Sequence, residues 1–139
     1  MIRISRYTFL FFLFCLSIGA QGQTIKGYST EQLTELSTKV EDQVRFLEFL
    51  LNTVGNSQTS ARDKDVIIRE SYLKIFQNGK VQVEDDLVFD RKVVTNKDVG
   101  AYFRDIEFFY KNIEFKFKIR EIKPGQKENG QVFFLASLD

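Results

Sequence analysis

VGAYFRDIEFFYKNIEFKFKIR, residues 99–120, changes its hydrophobic period partway along. In its first half Val99, Tyr102, Phe103, Ile106, Phe109 and Tyr110 recur at three- and four-residue intervals, one broad aromatic stripe of an α-helix. From Ile113 the spacing drops to two: Ile113, Phe115, Phe117 and Ile119 alternate with Glu114, Lys116, Lys118 and Arg120, the pattern of a strand with one wet face. The alternation slips at Glu121-Ile122, which predicts a bulge or the end of the strand. A helix followed at once by a half-buried strand points to an α+β chain.

Downstream, residues 123–130 hold Pro-Gly and Asn-Gly, strong turn signals, and Val132 to Leu138 returns as a second long strand. The two strands are therefore expected to form an antiparallel hairpin. Upstream, Thr95-Asn96-Lys97-Asp98 reads as a helix cap with a carboxylate in the first turn, where the helix dipole favours it. Residues 80–84 alternate Val81 and Val83 with polar neighbours, a short strand. Ser60 opens a capping pattern, and Ile68, Tyr72, Ile75 and Phe76 predict a helix over 61–77 that stops at Asn78-Gly79. Before it, Leu33, Leu36, Val40, Val44, Leu47, Leu51 and Val54 form one stripe of a long helix, with Ser29 and Gln32 as a capping box and Gly55-Asn56 as a left-handed stop. The stripe lasts only about three heptads, so it suits a helix packed on its own domain better than a coiled coil. Together these elements predict three helices packed on a short antiparallel sheet.

The first 22 residues are of another kind. Arg3 and Arg6 precede an apolar run from Tyr7 to Ile18, and Ala20-Gln21-Gly22 closes it with small residues. This is the layout of a secretory signal peptide over 1–22, leaving 23–139 as one α+β domain outside the cytoplasm, periplasmic or extracellular. The run is short of the roughly 20 residues that span a bilayer, so no membrane attachment is expected after cleavage. Without Arg3 and Arg6 the 20 basic and 19 acidic residues become 18 against 19. That balance provides no electrostatic case for nucleic acid. Cys15, the only cysteine, lies in the apolar run, and the chain has no histidine. Thiol chemistry, disulfides, His-based relays and thiolate or imidazole metal sites are thereby excluded from the mature chain. Its core must be ordinary and apolar, and eleven of the fifteen Phe lie beyond the signal.

The order helix, helix, short strand, helix, long antiparallel strands resembles the cystatin-like α+β cone shared by the nuclear-transport-factor-like and polyketide-cyclase-like domains. SARDKDVII (60–68), VQVEDDL (81–87) and TNKDV (95–99) are also similar to an N-terminal module of secreted multidomain bacterial proteins, to which no activity is attached. Cones usually close with three or four long strands, whereas two long strands and a short one are legible here. The resemblance implies a cone incomplete at its C-terminal side, with an edge over 131–138 that invites pairing with another copy of the chain. In enzymes of that superfamily a pocket carboxylate, often with a tyrosine, handles a proton, and Asp85, Asp86, Tyr72, Tyr102 and Tyr110 are the available types.

Read from the residues alone, the tyrosines belong to the core with hydroxyls at its rim, and Asp85 and Asp86 to a solvated turn. Glu84, Asp85, Asp86 and Asp90 are the densest acidic cluster, but they lack the alternating Asp/Asn-Gly series and closing Glu of a calcium loop. No residue is assigned a catalytic, cofactor-binding or metal-binding role, and no cofactor is expected. The expectation is a non-enzymatic, extracytoplasmic binding or assembly module. The alternatives are a truncated N-terminal domain of a longer secreted protein and a small-ligand or proton-transfer pocket of the cone type.

Overall fold

A computed structural model describes residues 25–139, so the expected signal peptide over 1–22 lies outside the described residues. The chain is α+β, and its described residues form three α-helices and two small antiparallel sheets of two strands each. Helix α1 (Thr30–Gly55) begins on the predicted capping box: Ser29 Oγ accepts from Gln32 N–H at 3.2 Å, and Gln32 Oε1 accepts from Ser29 N–H at 2.8 Å. Its end differs from the prediction. Neither Gly55 nor Asn56 is left-handed; Asn56 is extended at φ −86°, and its side chain accepts from Gln58 N–H at 2.8 Å, bending the chain out of the helix. Gly55 is required for a different reason, because a Cβ there would meet Ile113 Cγ2 at 2.5 Å and the Ile113 carbonyl at 2.9 Å.

The helix predicted over 61–77 is shorter. Helix α2 (Ala61–Arg69) starts on Ser60, whose Oγ accepts from Asp63 N–H, and then breaks at Glu70 into a 3-10 turn over Ser71–Lys74. The break carries Tyr72 into the core, where its ring lies 5.6 Å from that of Phe103. Strand β1 (Gln82–Glu84) pairs with β2 (Asn96–Asp98), so the predicted cap at 95–98 is a strand instead. Asp98 makes no side-chain cap to helix α3 (Val99–Phe109). The first α3 amides donate to backbone carbonyls of the opposite segment, Val99 N–H to Val81 at 2.8 Å and Gly100 N–H to Gly79 at 3.0 Å, which satisfies the helix start by tertiary means. Phe109, placed by periodicity on the buried stripe, is largely exposed, because the helix unwinds just beyond it at Tyr110.

The strand predicted over 113–120 is shifted. β3 spans Ile119–Gln126 and pairs with β4 (Val132–Leu138), with the predicted irregularity between Ile119 and Glu121. Pro124 and Gly125 lie in the ladder opposite Phe134 and Phe133, not in the turn. The Asn-Gly part of the turn signal holds: Gly130 has φ +84° and its N–H donates to Lys127 O at 2.9 Å. Residues 113–118 keep the predicted alternation of half-buried and exposed side chains but, among the described residues, have no strand partner until Lys118. They lie along α1 and bond to its side chains. Asn52 accepts from Phe115 N–H at 2.7 Å and donates to Phe115 O at 2.9 Å; Glu48 accepts from Phe117 N–H, and Arg45 donates to Phe117 O, each at 2.6 Å. Arg45, Glu48 and Asn52 sit at helical spacing and stand in for a neighbouring strand. The fully buried core lies between the second half of α1, the 3-10 turn and α3, with Phe103, Leu50, Ile106, Val54 and Val99 at its centre.

Candidate functional site

Between β1 and β2 the chain makes a loop over 85–95 that carries every residue of the acidic cluster except Glu84. Its two ends meet where Asp85 N–H donates to Thr95 O at 2.7 Å. Asp85 turns inward and is 7 % exposed, not in the solvated turn that the sequence predicts. Its Oδ2 holds Arg91 at 2.9 Å and Lys97 at 3.0 Å, and Lys97 also reaches Asp105 on α3 at 2.5 Å. Oδ1 of Asp85 is buried and has no hydrogen-bond partner among the described residues. Burial alone would raise the Asp85 carboxyl, but the bonds and charges of Lys97 and then Arg91 outweigh it and leave the group below the ordinary aspartate value. Lys97 mirrors this: burial opposes its charge, yet Asp105 and Asp85 hold its ammonium above the ordinary lysine value. The cluster is an ion-pair clasp at the base of the loop.

Asp86, next in the chain, points the other way and accepts from Tyr102 Oη at 2.6 Å. The structure thus joins two of the sequence candidates. Burial first, then the bond to Asp86, holds the Tyr102 phenol above its ordinary value, so it stays protonated and donates to Asp86. Both residues border an apolar cavity of about 130 Å³ that also touches Leu51, Phe76, Val83 and Phe117. Sites for small organic ligands are typically about 300–1,000 Å³, so this one holds a few waters at most. Tyr72 packs on Phe103, and Tyr110 is half-buried at the end of α3; neither joins Asp85 or Asp86. Among the described residues no three acidic, His or Cys side chains are placed to share a metal ion.

The feature that residue-type reasoning passed over is the outer side of the same loop. Leu87 anchors it at 3 % exposure, while Phe89, Val94, Val93 and Val88 are 88, 71, 69 and 43 % exposed. Arg91 fastens the tip from within, donating its N–H to Val88 O at 3.3 Å and its guanidinium to the Thr95 hydroxyl and Asp85. Four apolar side chains in a run that follows neither helical nor strand period, among Asp90, Arg91 and Lys92, are the only trace of this surface in the sequence. Comparison of the chain with protein-family models, curated proteins and solved structures found no match.

Proposed function

We propose that this chain is a non-enzymatic, extracytoplasmic binding module whose contact element is the 85–95 loop. The observation that carries the reading is an apolar tip held on an ionic base centred on buried Asp85. Phe89, Val93 and Val94 stand in water, while Asp85, Arg91, Lys97 and Asp105 tie the loop to β2 and α3. Exposed apolar side chains rimmed by charge are the composition of a protein interface. A loop already ordered loses little freedom on binding, which favours affinity. The groups suited to acid-base work are engaged in structure: Asp85 is neutralised by two cations, and Asp86 is hydrogen-bonded to Tyr102.

The test is a photo-crosslinking amino acid at position 89 in the protein expressed in its own host. A discrete adduct at 89, absent with the probe at exposed Glu41 on α1 and lost when Val93→Ser and Val94→Ser are added, is the expected result. Indiscriminate or absent labelling at 89 rejects the loop as a contact surface. N-terminal sequencing of the same preparation tests export, and the expected first residue lies near Gln23.

A further inference from the structure

Alternate residues of β4 turn their backbone away from β3. Lys118 and Asp139 exchange both backbone bonds at 2.9 and 3.0 Å, and Lys127 N–H donates to Gln131 O at 2.9 Å, so the odd-numbered residues 131–139 face β3. The N–H and C=O groups of Val132, Phe134, Ala136 and Leu138 therefore point to the opposite edge, where β4 has no neighbouring strand among the described residues. Proteins guard such edges with charges, Pro or bulges. From Val132 to Leu138 there is no charge and no Pro, and the one register irregularity lies in β3.

A groove of about 350 Å³ runs beside this edge. Leu36, Val40, Val44 and Leu47 of α1 form its floor, and Ile75 and Phe134 its walls. Phe134 is the only described sheet residue lining it, so within the sheets the groove borders β4, the strand with the free edge. It also marks an imbalance in α1: the apolar stripe is fully buried only from Leu50 onward, while Leu36, Val40 and Val44 stay half-exposed. A strand added to the free edge of β4 would complete a ladder and cover this stripe at once.

We infer that the added strand is β4 of a second copy of this chain, paired antiparallel about Leu135. In that register Val132 lies opposite Leu138 and Phe134 opposite Ala136, and the outward-facing groups form about eight backbone hydrogen bonds. The result is a four-stranded sheet with both α1 helices on one face, and the half-buried side chains of each β4 extend the cover over the other copy's groove. On the opposite face Leu135, 62 % exposed, meets its own symmetry mate in a close, non-hydrogen-bonded pair, and Phe133 meets Ser137. The strand suits itself because reversing an uncharged segment on its own copy brings no like charges together. The pairing stands independently of the loop reading above.

Sedimentation equilibrium of the purified protein from about 1 to 200 μM tests the inference. The expected result is a concentration-dependent dimer that Leu135→Lys weakens about tenfold or more, because two lysines then face each other across the twofold axis. An equimolar mixture of L135K and L135E is expected to restore it. Leu135 is exposed, so both variants should keep the parent circular dichroism and melting temperature. Ala136→Pro gives a second reading, since it deletes an N–H on the free edge and no bond to β3. A monomer at every concentration, leaving the edge to some other chain, overturns the inference. So does a dimer indifferent to both L135K and A136P.

Discussion

Asp85 shows how far one side chain can depart from its local context. Its neighbours Glu84, Asp86 and Asp90 describe a solvated turn, but the hydrogen bond from its N–H to Thr95 O and the cations Arg91 and Lys97 draw it inside. Asp85→Asn keeps the shape and removes the charge, leaving two cations around a neutral amide. We expect a loss of about 2–4 kcal/mol at pH 7, somewhat under a fully buried pair because the cations are partly exposed, measured by urea denaturation. The pH dependence has a definite sign. The folded-state pKa of Asp85 is lowered, so its contribution is present above the ordinary aspartate value of 3.8 and is lost as pH falls through the lower folded value. Lys97 is raised, so its contribution is present below its ordinary 10.5 and is lost as pH rises through the higher folded value. The D85N variant should lose the Asp85 part of the acid-side decline; an unchanged acid slope would show that other carboxylates set it. Gly55 offers a second residue-scale prediction. Gly55→Ala drives a methyl group into Ile113 and should cost about 1–3 kcal/mol, whereas an ordinary helix interior would gain from Ala. A neutral or stabilising G55A in a thermal melt would refute the close approach.

Among the elements, the extended segment 113–118 separates strand pattern from strand pairing. Its side chains alternate as a strand's do, yet its edge is satisfied by Arg45, Glu48 and Asn52. The signal in residues 113–119 was legible because alternation is local; the identity of the partner was not, because Asn52 is 63 positions away. Asn52→Ala orphans the N–H and C=O of Phe115 together, and we expect a loss of about 1–3 kcal/mol. Hydrogen exchange should show the Phe115 amide losing protection in this variant while amides of β4 keep theirs. Asn52→Asp, which still accepts from Phe115 N–H but cannot donate to its carbonyl, should fall between the two.

Across the molecule burial is uneven. Leu50, Val54, Val99, Phe103 and Ile106 are at most 2 % exposed, whereas no residue of β3 or β4 is fully buried. The hairpin rests on α1, and through the two bonds of Gln126 to the backbone of Lys26 it also ties down the start of the described chain. Native-state hydrogen exchange in mild denaturant should therefore show amides of 50–54 and 103–106 opening only with global unfolding, and those of β3 and β4 opening earlier and together. Equal free energies for both sets would mean that hairpin and core unfold as one unit. In a dimer paired through β4, the hairpin would gain protection with protein concentration.

Nearest neighbours along the chain decide a definite share of this fold. α1 with its capping box, the start of α2 at Ser60, the aromatic helix from Val99, the alternation from Ile113 and the turn at Asn129-Gly130 all follow from hydrophobic period, capping chemistry and glycine's tolerance of positive φ, and together they yield the α+β class. Long-range contacts account for the rest. β2 replaced a predicted cap because carbonyls of Gly79 and Val81 supply the start of α3. The second helix broke to bury Tyr72, Asp85 went inside, and Phe89 with its valine neighbours stayed out. Each of these outcomes depends on groups far apart in the chain, whose hydrogen-bond partners, charges and contact surfaces come together only when it folds.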